Sequence, residues 1–389
     1  MRPWQQSELN YILNCLKYKD TNVMAIAHVL ERSYDSVQKK VKICLNGLTK
    51  AEDYQRHIVI DKEECGLEPA MGINSFTPEI KEKASNIILL GEEIVKKFQP
   101  LKLDLYSPPK NKNKDEEYCI LDLSDMHIGM INKVFDSGTE REEVTYNHEI
   151  FKHEMEMFIK GIGEIYRLLS SAYKLDTLYI NCLGDIVTND RIFPEQTFEI
   201  EKVVGLQVWD AISYVLYFIN YMKNYFRNIV FTGMVGNHGR SQPDFYNEPV
   251  QNNFEYFVYR VIQKQFEDDK RVKVIVPETR RFIIDIAGHK HLLEHGDSFR
   301  GTTENYIEQQ VKNLFVNVGN FDVLDFGHFH KLKERELSDK VVVKQNGCWI
   351  SKDNYAFKMF KDYSVAKQWF YGCNEKRSVT WSFKLDFNS

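Results

Sequence analysis

The sequence predicts an α/β domain with helices covering sheet faces, preceded by a small all-α module. Two observations carry this. From residue 118 onward, short apolar runs alternate with long amphipathic stretches, as strands and helices do in layered folds. Before residue 50, apolar residues recur only at helical spacing. The 389 residues suffice for more than one domain, and 43% hydrophobic residues with 10 prolines and 20 glycines describe an ordinary globular chain. That composition excludes a disordered, collagen-like or low-complexity protein.

Residues 1–50 read as three short helices. The first, over 5–17, aligns Leu9, Ile12, Leu13 and Leu16; the second, over 22–30, aligns Val23, Ile26, Ala27 and Leu30. Ser33 is placed to cap a third helix that turns Val37, Val41 and Leu45 inward and Tyr34, Gln38, Lys39 and Lys42 outward. Residues 51–117 read as a linker with one helix over 77–98, ending in a polar run from Pro108 to Glu117. Residues 118–389 form the main domain. Its expected strands are Tyr118–Leu123, Thr177–Cys182, Ile229–Val235, Val272–Val276, Phe282–Ile286, His291–Glu294 and Phe321–Phe326, with helices over 147–171, 195–226, 251–267 and 302–318 and a β-rich C-terminal segment. His289 and His291 alternate along one strand and are expected at ordinary strand-edge positions. The aromatic stripe from Trp209 to Tyr225 is expected to pack against the sheet or against another subunit rather than to stack bases.

The net charge of −5 is unevenly spread: residues 1–50 hold eight basic side chains against four acidic ones, a local +4. Seven cysteines are scattered without a C-x-x-C pair, which argues against a disulfide framework or a thiolate zinc site. With no secretory h-region and no run of eighteen uncharged apolar residues, the expected location is the cytoplasm of a bacterial or phage-infected cell, away from membranes.

Five strand ends in succession terminate in groups able to bind metals. They are Asp125-Met-His127, Gly184-Asp185, Gly236-Asn237-His238, His295-Gly296-Asp297 and Gly327-His328-Phe-His330. In layered α/β domains, chemistry gathers past the carboxyl ends of strands. Imidazole and oxygen donors without thiolates suit manganese, iron or zinc better than copper. Over residues 118 to about 332 the pattern D-x-H, G-D, G-N-H, histidine, G-H-x-H resembles the calcineurin-like metallophosphoesterase superfamily. The resemblance implies a metallophosphoesterase β-sandwich flanked by helices and two divalent ions, manganese foremost, with iron, zinc or magnesium also compatible. It implies that Asp125, His127 and His330 hold one ion, that Asn237, His295 and His328 hold the other, and that Asp185 bridges them. His238 would face the substrate phosphate, so that Asp185 and His238 carry the catalytic roles.

The chain departs from the superfamily in two places. Asp185 is followed by a longer spacing to Asp190-Arg191 than in protein serine/threonine phosphatases, which disfavours that branch, while the compact layout without a large insertion between motifs resembles the recombination-repair exonucleases and the phage or bacterial nucleases of the superfamily. Gly239-Arg240 follows His238 where many members place an acidic residue, so the usual support of His238 is missing from that position. Arg191 and Arg240 are candidates for substrate phosphate contacts. Residues 1–50 resemble a Myb-like helix-turn-helix, which implies Tyr34, Gln38, Lys39 and Lys42 as DNA contacts; an adaptor or oligomerisation module has the same pattern. The leading expectation is a two-metal-dependent phosphodiesterase, foremost a DNA nuclease, whose partner is nucleic acid and which is compatible with a homo-oligomer. The alternatives are a phosphoesterase for a small cyclic nucleotide or a phosphomonoester, and a non-catalytic DNA-binding or scaffold protein.

Overall fold

In a computed structural model, the described residues run from 114 to 387, apart from 137, 139, 194–195, 244–247 and 338–339. The three-helix module expected over 1–50, with Tyr34, Gln38, Lys39 and Lys42, and the helix expected over 77–98 lie outside the described residues.

The described chain enters on β1 (Glu116–Leu123), makes the hairpin of β2 (Asn132–Asp136) and β3 (Arg141–Tyr146), and runs through α1 (His148–Ser170), β4 (Lys174–Cys182), α2 (Val204–Met222), β5 (Asn228–Gly233), α3 (Phe254–Gln265) and β6 (Val272–Ile275). There follow the hairpin of β7 (Arg281–Ile286) and β8 (His289–Glu294), α4 (Glu304–Asn317), β9 (Val323–Phe326), β10 (Lys333–Glu336) with β11 (Val342–Gln345), α5 (Asn354–Phe360), and the hairpin of β12 (Lys367–Asn374) and β13 (Arg377–Asp386). One sheet has the order β13-β12-β1-β4-β5-β6 and the other β10-β11-β9-β8-β7. β1, β4, β5 and β6 are mutually parallel, so their carboxyl ends lie along one edge. β8 and β9 are also parallel.

Three apolar clusters define four layers. Alternate residues of β1, β4 and β5 (Leu121, Ile180, Phe231) pack against buried faces of α1, α2 and α3. The opposite residues of that sheet (Ile120, Leu183, Met234) meet Ile284, Ile286 and Leu293 of the second sheet. Leu292, Leu324 and Val343 turn outward to Ile307, Val311 and Leu314 of α4. The result is the helix-flanked sandwich expected. α1 shows how the sequence encodes its layer: Phe151, Met155, Phe158, Ile162 and Tyr166 recur at helical spacing and are buried, and the Asn147 side chain caps the start by accepting from the Ile150 amide at 2.9 Å. Phe218 of the aromatic stripe is buried in the same cluster, with Tyr214, Tyr217, Tyr221 and Tyr225 packed at its margin. No helix among the described residues is long and apolar enough to cross a membrane. Cys119, Cys182, Cys348 and Cys373 are buried free thiols.

Two expectations are corrected. The helix expected over 195–226 begins only at Val204, because Gln196 is committed elsewhere: its Oε1 accepts from the amides of Ile192 and Phe193, and its Nε2 donates to the Thr188 carbonyl. His291 is not at an edge, since β8 lies between β7 and β9. It is fully buried, with Nδ1 at 3.1 Å from Asp325 Oδ2, and the Tyr371 hydroxyl donates to Asp325 Oδ1 at 2.7 Å.

Asp122 faces that network from β1, and its Oδ1 accepts from Asn181 Nδ2 at 3.1 Å. Burial and the neighbouring Asp325 push its carboxyl well above the usual range. The folded chain therefore keeps a proton that an unfolded aspartate releases near pH ~3.9, and stability falls as pH rises above that value. Asp122→Asn replaces the retained proton with an amide N–H. Its melting temperature at pH 8 should equal or exceed that of the wild type, with the advantage shrinking toward pH 5. Melting curves that show a deficit growing with pH would reverse the assignment.

Candidate metal centre

The turns that follow β1, β4, β5, β8 and β9 meet at a single centre. Three donor groups lie there, Asp125 with His127 and His330, His127 with Asp185 and His238, and Asp185 with His295 and His328, each with donor atoms within 4.8 Å of one another. His127 and Asp185 are shared between groups, which makes the three groups one constellation. Asn237 joins through its Oδ1, 2.9 Å from His295 Nε2. All seven residues expected as metal ligands are thus brought together, with His238 beside them.

The backbone shows what this convergence costs. Asp125, His127, Asp185, His328 and His330 have φ of 52°, 46°, 52°, 70° and 55°, the left-handed region that bulky L-residues avoid. Each such residue costs on the order of 1–3 kcal/mol and persists only where its surroundings over-determine it. Those surroundings are other turns: the Asp125 amide donates to the Gly184 carbonyl, the His127 amide to the Asp185 carbonyl and the Gly327 amide to the His295 carbonyl, at 2.9–3.0 Å. Two glycines permit the approach. A Cβ at Gly236 would collide with the Asp185 carboxylate, and one at Gly327 would stand 2.5 Å from Asp125 Oδ2.

Hydrogen bonds at the outer ring nitrogens aim two imidazoles inward. His295 Nδ1 donates to the Leu183 carbonyl at 2.8 Å, so Nε2 faces Asp185 Oδ2 at 3.0 Å. His330 Nδ1 donates to Asp353 Oδ2 at 2.6 Å, leaving Nε2 at 3.1 Å from His127 Nε2 and 3.4 Å from Asp125 Oδ1. Such outer partners fix tautomer and orientation at metal sites. The charges fit a cation as well. Asp125 and Asp185 are buried, and although burial opposes a positive imidazole, the Asp185 carboxylate pushes His295 up to about 10. Burial, reinforced by the charge on His295, takes His328 down to about 4. Imidazole nitrogens with carboxylate and amide oxygens are donors that divalent manganese, iron or zinc accept.

His238 is set back from the other donors. Its Nε2 is 3.9 Å from Asp185 Oδ2, its amide donates to Asp185 Oδ1 at 2.8 Å, and its Nδ1 accepts from Gln196 Nε2 at 2.8 Å, a side-chain amide that also donates to the Thr188 carbonyl at 2.8 Å. Burial lowers its proton affinity. The support that Gly239 does not give comes from Thr188 and Gln196. Arg240, expected at the substrate, is instead buried and donates from Nε to the Asn237 carbonyl at 2.8 Å, so it holds the turn from behind. Arg191 is exposed and pairs with Asp190 at 3.2 Å.

Sequence reasoning missed the groups that brace these turns. Glu255 of α3 accepts from the Ile186 amide with Oε1 and from the Gly236 amide with Oε2, each at 2.7 Å, joining the Asp185 turn to the Asn237 turn. Asn189 donates to the carbonyls of His238 and Arg240 at 2.7 and 2.9 Å. Asp353 has one local signal, an aspartate at the N-cap of α5; Glu255 and Asn189 have none.

No family model matches the chain, and no curated protein matches it. Solved structures do. Wild-type Vps29 of Entamoeba histolytica, in complex with zinc, is 11% identical, with 69% of this chain and 99% of that chain covered at a TM-score of 0.29. Vacuolar protein sorting 29 of Cryptosporidium parvum is 14% identical over 69% of this chain and 100% of its own, at a TM-score of 0.33. A conserved uncharacterised protein of Streptococcus pneumoniae, described as a predicted phosphoesterase, is 11% identical over 69% and 98%, at a TM-score of 0.27.

Proposed function

We propose that the chain is a metal-dependent phosphoesterase that hydrolyses phosphodiesters, and within that class a nuclease acting on DNA. The observation that carries the hydrolase is the convergence of seven nitrogen and oxygen donors, from five strand-end turns, around the shared carboxylate of Asp185. Two divalent ions bound there supply Lewis-acid stabilisation of a phosphoryl group and a lowered pKa for attacking water. In this assignment Asp125, His127 and His330 hold one ion, Asn237, His295 and His328 the other, and Asp185 both. The chain's own contribution to chemistry is His238. With Nδ1 accepting from Gln196 Nε2, the ring carries its proton on Nε2, the edge turned to the centre, so it can donate to a phosphoryl oxygen or protonate the leaving oxygen.

Support for nucleic acid comes from residues 1–50, whose local +4, with Tyr34, Gln38, Lys39 and Lys42 expected on one helical face, contrasts with an otherwise acidic chain. The purified full chain with manganese should be assayed on single- and double-stranded DNA, RNA, a cyclic nucleotide, a bis-aryl phosphate and a mono-aryl phosphate. Hydrolysis of DNA and the bis-aryl ester fits the proposal; hydrolysis of the cyclic nucleotide or the mono-aryl ester alone moves the substrate to a small molecule. The double variant Lys39→Glu, Lys42→Glu should cut long DNA at least several-fold more slowly and bind it with a shallower salt dependence, because each lost phosphate contact removes about 0.9 from the slope. Bis-aryl phosphate turnover should be unchanged. Equal DNA cleavage by the variant would remove these residues from the nucleic-acid contact.

A further inference from the structure

Tyr355 belongs to no motif, yet it stands over the centre. It sits on α5, whose N-cap Asp353 does two things. Asp353 accepts from the amides of Tyr355 and Ala356, at 3.1 and 3.0 Å, and the same carboxylate accepts from His330 Nδ1 at 2.6 Å. The element bearing Tyr355 is therefore fastened directly to a candidate metal ligand. The Tyr355 ring lies 5.0 Å from the His330 ring and 6.0 Å from the His328 ring, and its hydroxyl is 3.5 Å from His328 Nε2. On the far side, the His238 ring lies 4.6 Å from that of His127, which is 5.0 Å from His330. Tyr355 and His238 thus end a row of four rings.

We propose that the Tyr355 hydroxyl binds the substrate phosphoryl group, donating a hydrogen bond to a non-bridging oxygen from the side opposite His238. When His328 Nε2 serves as a metal ligand its lone pair is occupied, and the neighbouring O–H must find another acceptor. An anionic phosphoryl oxygen at the centre is such an acceptor. A hydrogen bond to a charged group is among the stronger ones a protein makes. The ligand class is a phosphate oxyanion, whether carried by an ester or by free inorganic phosphate.

This inference rests on the phosphoesterase assignment, and its test separates the two. Tyr355→Phe keeps the ring contacts with His328 and His330 and removes only the hydroxyl. In the metal-loaded full chain, inorganic phosphate binding measured by calorimetry should weaken by about ten- to a hundred-fold, while elemental analysis finds the same metal content as in the wild type. Phosphate affinity within about threefold of the wild type, with metal intact, would overturn the proposal alone. Loss of metal in the variant would also overturn it, by showing that the hydroxyl serves His328 rather than phosphate. A wild type that binds neither metal nor phosphate would instead overturn the phosphoesterase assignment, and this proposal with it.

Discussion

Asp185→Ala should leave the chain unable to hold two divalent ions and should reduce phosphodiester hydrolysis more than a hundred-fold. Loss of partners that merely orient metal ligands typically costs ten- to a hundred-fold, and Asp185 is the carboxylate shared by two of the three groups. Its Oδ2 faces His295 at 3.0 Å and its Oδ1 accepts from the His238 amide, so removal disturbs the second ion and the loop bearing His238 together. The fold should survive, since Asp185 lies in a turn at the sheet edge rather than in the apolar layers. Elemental analysis beside a turnover assay checks this, and two equivalents of metal in the variant would defeat the bridging assignment.

His238→Ala should behave differently. Metal content should match the wild type, while kcat on a bis-aryl phosphate falls by about 10²–10⁴, the range for a lost general acid or a charge-stabilising donor. Gln196→Ala should give a smaller loss in the same direction, because it frees the Nδ1 edge that Gln196 holds. If His238→Ala lost metal together with activity, its place would be among the ligands.

The ligands were legible in the sequence because each sits beside a glycine or a second donor at the end of an apolar run, and strand ends in a layered fold point to one edge. Their supports were not. Glu255 reaches the Asp185 turn from a helix, with no residue pattern tying one to the other, and Arg240 reads as a free cation until the fold buries it under Asn237. His291 failed for the same reason: alternation along a strand gives the face of a residue but not whether a second sheet covers it. The helix drawn over 195–226 ran too long because Gln196 is an ordinary helix former whose side chain is claimed by the backbone of Thr188, Ile192 and Phe193 in the loop just before it. Asp353 could have been read as a cap, but its grip on His330 exists only in three dimensions.

The placement of β12 bears on how the protein is made. β12 pairs antiparallel with β1, and the Ser124 amide, one residue before the first ligand, donates to Gln368 Oε1 across 244 residues of chain. On the ribosome, β1 must wait for almost the whole domain to be synthesised before its second neighbour exists. Contacts so distant in sequence slow folding, and an unpaired strand edge invites association with other chains. The nascent domain is therefore exposed to association until β12 is made, and a chain interrupted before Lys367 would be a nearly complete sandwich with an open β1 edge and its first ligand turn unbraced.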